Sequence, residues 1–88
     1  MDKWRIIFSK RAEKDWKFVE ASPYKEKVIA LLHLIKNDPY QDPPPMKQLQ
    51  GDLTGAYSRR INHQHRLVYR LEKSKRLINI IMMWLHYE

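Results

Sequence analysis

Two stretches of this sequence carry the side chains best suited to chemistry on a phosphate. The first, Ser58 to Arg70, places Arg59, Arg60, Arg66 and Arg70 within thirteen residues, with His63 and His65 between them. Arginine grips a phosphate through two parallel hydrogen bonds and keeps its charge at any relevant pH. The second is the closing Trp84-Leu85-His86-Tyr87-Glu88, where His86 can titrate near neutral pH. Arginines with a histidine form a workable kit for cutting RNA. The 2′-hydroxyl attacks its own adjacent phosphate once a base takes its proton, an acid protonates the departing 5′ oxygen, and cations steady the five-coordinate phosphorus. Taken singly, an exposed strand arginine or an end-of-chain histidine more often has no role.

Other histidines point elsewhere. His63 and His65 form an H-x-H pair, but no cysteine accompanies them and both fall in an expected chain reversal, so metal binding is not expected there. His33 lies off the apolar stripe of its helix and is assigned no role. No cofactor is expected.

These side chains need elements to hold them. Trp4 to Phe8 reads as a short strand, rich in aromatic and β-branched residues. Ser9 then caps a helix whose apolar stripe is Ala12, Trp16 and Val19. Ser22 as N-cap and Pro23 at the first helical position open a second helix, with Tyr24, Val28, Leu31, Leu32 and Ile35 on its buried face. Asn37-Asp38-Pro39 ends it, and the two helices should form a hairpin. Tyr40 to Pro45 is a proline-rich connection. Strands are expected at Met46 to Gln50, Tyr57 to Asn62, Arg66 to Glu72 and Arg76 to His86, with reversals at His63-Gln64-His65 and Lys73-Ser74-Lys75.

The last strand is apolar on both faces, which marks it as central. Alternation in Arg66 to Glu72 sends Leu67, Tyr69 and Leu71 to the helix-packing side and Arg66, Val68 and Arg70 to the other. The expected fold is α+β: an N-terminal strand and a two-helix hairpin packed on one face of a twisted, mostly antiparallel sheet of four to five strands, all in a single domain over residues 1–88. The far face is expected to be open and to hold the site.

Composition sets the class of partner. Seventeen Lys and Arg against ten Asp and Glu give a formal charge of +7 on 88 residues, a field that favours nucleic acid, an acidic membrane surface or an acidic protein. The chain has no cysteine, which excludes disulfides and suits a reducing compartment. Its N-terminus lacks the apolar run of a signal peptide or a membrane helix. A soluble, cytoplasmic protein without membrane association is expected.

At these residues the chain resembles the YoeB branch of the RelE/ParE toxins. The resemblance rests on Gly51-Asp52-Leu53-Thr54-Gly55-Ala56-Tyr57-Ser58-Arg59-Arg60-Ile61, on His65-Arg66-Leu67-Val68-Tyr69, and on His86-Tyr87, and it spans essentially the whole chain. It implies a metal-independent endoribonuclease that enters the ribosomal A site and cuts mRNA during translation. It also implies a YefM-like antitoxin whose disordered C-terminal segment inhibits the toxin, contact with operator DNA only through that complex, and a homodimer as a possible assembly. By position, Arg66 would stabilise the transition-state phosphate, His86 would be the general acid, Tyr87 would position reacting groups, and Arg59, Arg60 and Gln50 would contact RNA.

One position departs from the family. A glutamate general base is usual just after the proline segment, and aligning on Leu49 and Gly51-Asp52-Leu53 puts Lys47 there. An ordinary lysine, with a pKa of about 10.4, is protonated and cannot accept a proton. RelE works with lysine and arginine and no such glutamate. Lys47 is therefore a base with a lowered pKa, a charge stabiliser only, or the mark of a weakened member. Two other readings share the scaffold: a ParE-like inhibitor of DNA gyrase, against which His86-Tyr87 argues, and a catalytically silent relative that acts as a co-repressor with its antitoxin.

Overall fold

The structure, a computed structural model, describes residues 4–84. In chain order it contains β1 (Arg5–Phe8), α1 (Lys10–Glu20), α2 (Lys25–Asn37), β2 (Met46–Gln48), β3 (Ala56–Arg60), β4 (Arg66–Glu72) and β5 (Leu77–Met82). The five strands form one sheet in the order β1-β5-β4-β3-β2. β1 lies at one edge, parallel to β5, and every other pairing is antiparallel. The helical hairpin carries the chain from the β1 edge to the β2 edge, and the remaining strands meander back. This is the α+β architecture expected from the sequence. None of the described helices is long and apolar enough to cross a membrane.

Local signals explain most of the elements. Ser9 caps α1 as expected, its hydroxyl accepting from the Ala12 N–H at 3.0 Å. Lys10, Arg11, Glu13, Lys14 and Lys17 are exposed while Ala12 and Val19 are buried. α2 begins later than its capping pattern suggested. Ser22 donates its hydroxyl to the Val19 carbonyl and accepts from the Tyr24 N–H. It therefore closes α1 and the turn, and no side chain caps α2. Tyr24 consequently stays outside the helix and exposed, leaving Val28, Leu31 and Ile35 as the buried stripe.

The core lies between the hairpin and one sheet face. Ala12, Val19, Val28, Leu31 and Ile35 meet Leu67, Tyr69, Ile78 and Ile80. Each fully buried large apolar side chain contributes roughly 1.5–3 kcal/mol. The second face differs from expectation. Ala56, Ser58 and Val68 are buried there, so it is not open at its centre. The final strand is also shorter than expected, stopping at Met82. Its alternation shifts before the end: Tyr69 pairs with Ile80 but Val68 with Met82, so one extra residue lies between them, and Met83 joins Ile78 and Ile80 in the core.

Asp15 holds the chain that follows this shift. This α1 carboxylate is 4% exposed; it accepts the Met83 N–H at 3.0 Å and the Trp84 N–H at 3.3 Å through Oδ2, while Oδ1 pairs with Arg11 at 3.0 Å. A buried carboxylate needs such partners to be tolerated. His65 completes the anchor by stacking on Trp84, with ring centroids 3.7 Å apart and planes at 11°. The end of β5 is thus fixed both by α1 and by the start of β4.

Candidate functional site

Register brings the cations together. In the sheet Lys47 faces Ser58, Ser58 faces Val68, and Arg60 faces Arg66. Side chains directly opposite share a face, with Cβ atoms about 4.5–5.5 Å apart. Lys47, Ser58, Arg60 and Arg66 therefore lie on one side at one end of the sheet. They line a groove of about 700 Å³, together with Pro44, Pro45 and Met46. The opposite wall comes from α2, through Lys27, Ala30, Leu31 and Leu34. The sequence reading placed the site away from the helical hairpin; the structure gives the groove a helical wall from α2.

The wall chemistry is mixed. Leu31, Leu34, Met46 and two prolines supply apolar surface, while Lys27, Lys47, Arg60 and Arg66 supply positive charge. No carboxylate is among the described lining residues. Two arginines directly opposite across a strand pair repel each other. A phosphate between them converts that repulsion into attraction, since guanidinium and phosphate oxygens pair bidentately.

Other expected site residues lie elsewhere. Arg59, assigned to RNA, is wholly buried. Its guanidinium donates to Tyr69 Oη (3.2 Å), Gln41 O (2.7 Å), Pro44 O (2.6 Å) and Pro39 O (3.1 Å). Strand parity is the reason: Arg59 shares the core face with Leu67, while Arg60 takes the groove face. Arg59 is therefore a buried clamp on the proline-rich connection. Gln50 is exposed and borders a separate concavity with Gln48, Thr54 and Tyr57. His86 and Tyr87 lie outside the described residues.

The clamp has a second member. Tyr69 donates its hydroxyl to Pro39 O at 2.8 Å while accepting from Arg59. Burial pushes the Tyr69 phenol above its ordinary pKa of 10.0, and the Arg59 hydrogen bond and charge pull the other way. The phenol stays neutral and keeps its proton for Pro39. On the other sheet face, Arg70 ties down the Gly51–Gly55 turn by donating to Thr54 O at 2.7 Å. Gly55 sits at φ 91°, and a Cβ there would meet Arg70 Nη1 at 3.3 Å. The glycine thus answers both the left-handed backbone and the close approach.

His63 and His65 do not form a paired site. His65 is buried under Trp84, whereas His63 is exposed. The reversal itself is built by Asn62, whose side-chain oxygen accepts the N–H groups of Gln64 and His65, both at 2.8 Å. Three participants escaped the sequence reading. Lys27 lies seven residues before Leu34, on a stripe beside the buried one, and Ser58 shares strand parity with Arg60; both signals were present. Asp15 gave none, because a lone aspartate in an exposed-looking charge pattern reads as solvated surface.

Comparison with known proteins agrees with this architecture. The family described as YoeB-like toxin of bacterial type II toxin-antitoxin system matches residues 8–87. Toxin YoeB of Mycobacterium bovis is 38% identical over 67 residues, covering 74% of this chain and 79% of that protein. Among solved structures, the YoeB/ParE toxin from Agrobacterium tumefaciens superimposes with a TM-score of 0.83 at 28% identity, covering 94% of this chain and 99% of that one. The YoeB–YefM complex from Staphylococcus aureus gives a TM-score of 0.78 at 35% identity, covering 98% and 100%. With the family match spanning residues 8–87 and the fold shared over nearly the whole length, the chain belongs to the YoeB-like toxins of bacterial type II toxin–antitoxin systems.

Proposed function

We propose that this toxin is an endoribonuclease that cuts mRNA in the ribosomal A site of the cytoplasm. The observation that carries the reading is the cation-lined groove, in which Arg60 stands directly opposite Arg66 and apolar side chains complete the lining. Cations bind the phosphate and apolar surface accepts a base, which is the pairing a single nucleotide requires.

The proposed reaction needs only side-chain chemistry. The 2′-oxygen bonds to the adjacent phosphorus as the P–O5′ bond breaks, leaving a 2′,3′-cyclic phosphate and a 5′-hydroxyl. Arg66, with Arg60 beside it, holds the non-bridging oxygens as charge builds on them. His86 gives a proton to the departing 5′ oxygen, and Tyr87 orients the reacting groups. The position of the base is filled by Lys47, which is exposed in the groove. A neutral amine there takes the 2′-hydroxyl proton; an ammonium only steadies the phosphate.

The same surface would be masked by a YefM-like antitoxin, as the partner named in the Staphylococcus aureus complex suggests. Operator DNA would be reached only through that complex. The test is primer-extension mapping of transcripts after induction, for the natural chain and for Arg66→Ala and His86→Gln. Cleavage within codons that vanishes in both variants, with their fold intact, supports the reading. Full toxicity and unchanged cleavage in both would sink it.

A further inference from the structure

We infer that Ser58 is an additional substrate-binding residue, donating its hydroxyl to a phosphate oxygen of the RNA held in the groove. This rests on the nuclease reading above and adds a contact to it. Ser58 is 1% exposed, and its Oγ is a buried side-chain polar atom with no hydrogen-bond partner. Leaving a buried hydroxyl unpaired is costly, and serines commonly avoid it by rotating towards a backbone carbonyl. Here it lines the groove between Lys47 on one neighbouring strand and Val68 on the other. The cations that line the same groove, Lys27, Lys47, Arg60 and Arg66, carry only donors.

A buried donor among donor-only side chains lacks one thing, an acceptor. A phosphate oxygen supplies it. Serine hydroxyls and arginine forks are regular partners of nucleic-acid phosphates, and a hydrogen bond to a charged acceptor is about twice as strong as a neutral one. The hydroxyl also sits deeper than the cations. It therefore selects a phosphate that has entered the groove over one held only at its mouth. Without ligand, Ser58 contributes nothing to the fold that alanine would not, because it has no bond to lose.

The last point separates binding from structure experimentally. The full chain, labelled with ¹⁵N, is titrated with inorganic phosphate and with a 2′-O-methyl trinucleotide, which carries the phosphates but no attacking hydroxyl. Amide shifts report on β2, β3 and β4. Wild type and Ser58→Ala are compared, with thermal midpoints measured alongside and Ser58→Cys as a variant of similar volume and weaker donor power. The expected result is about tenfold weaker trinucleotide binding by Ser58→Ala, an intermediate value for Ser58→Cys, and a midpoint unchanged or raised.

Equal affinity in wild type and Ser58→Ala overturns the assignment, as does a lowered midpoint with affinity intact. If a polyglutamate peptide shifts these amides in a Ser58-dependent way while the trinucleotide does not bind, the site serves an acidic peptide and the assignment also fails. mRNA cleavage is measured separately. Ser58-dependent phosphate binding without cleavage would leave this site standing and refute the nuclease; cleavage with Ser58→Ala binding as tightly as wild type would do the reverse.

Discussion

Removing the guanidinium of Arg59 should cost stability and spare the cation-lined groove. In Arg59→Ala the Gln41 and Pro44 carbonyls lose the donors that reach them at 2.7 and 2.6 Å. Pro39 O keeps the Tyr69 hydroxyl at 2.8 Å. Two orphaned carbonyls at the solvent-accessible end of the range cost about 1 kcal/mol each. The two lost methylenes, Cγ and Cδ, add about 1.6 kcal/mol of buried apolar contact. Folding no longer has to desolvate a guanidinium, which offsets part of this. A net loss of about 3 kcal/mol is expected, a large fraction of the roughly 4–13 kcal/mol typical of a domain this size. For so small a domain that lowers the thermal midpoint by about 12–24 °C.

Circular dichroism melts and urea titrations measure the loss, and amide exchange over residues 40–46 locates it. Arg59→Met keeps the stem and deletes the donors; it should lose about 1–2 kcal/mol, with faster exchange confined to that stretch. The reasoning is refuted if Arg59→Ala melts within about 4 °C of wild type, below the shift that 1 kcal/mol gives, and exchange in the proline-rich stretch is unchanged. The same variant with intact stability but weakened RNA binding would restore Arg59 to the surface role its position in the arginine run suggests.

Three further outcomes follow from the structure. Asp15→Ala should cost about 3 kcal/mol by stripping a charged acceptor from the Met83 and Trp84 N–H groups. Exchange of those two amides should speed up, whereas Arg11→Ala, whose side chain is half exposed, should change the melt by less than about 1 kcal/mol. The raised pKa of Tyr69 means that the folded chain holds this proton more tightly than the unfolded one. Its contribution is full below pH 10 and is lost as pH rises through the folded-state pKa. Urea midpoints in alkaline buffers should fall for wild type and flatten for Tyr69→Phe; parallel profiles would rule this out. Lys47→Glu should raise mRNA cleavage by about 10²–10⁴ if an ammonium stands where a base belongs, as single-turnover cleavage on programmed ribosomes would report; a fall would identify lysine as the working base.

Much of the architecture was legible in residue patterns. Ser9 before Ala12, Trp16 and Val19 announced α1, and the run on both faces of Leu77–Met82 announced an internal strand. Strand parity separated Arg66 from Leu67 and Tyr69 before any coordinates. The failures cluster where a local signal had two uses. Ser22 resembles an N-cap but closes the preceding helix, and Met83 reaches the core because a register shift against β4 resets the parity of β5. Arg59 and Arg60 are adjacent and chemically identical, and the resemblance assigned both to RNA by position. Their opposite fates come from a two-residue period.

By itself the sequence determined the charge, the order of elements, the family and the residue types available for phosphate chemistry, since periodicity and motif are properties of neighbours along the chain. Tertiary structure alone decided which cations share a groove, that α2 forms its far wall, and that Arg59 and Asp15 are buried clamps. The reason is that burial and partnership depend on residues far apart in sequence: Arg59 meets Pro39 and Asp15 meets Met83 only once the sheet has closed against the hairpin.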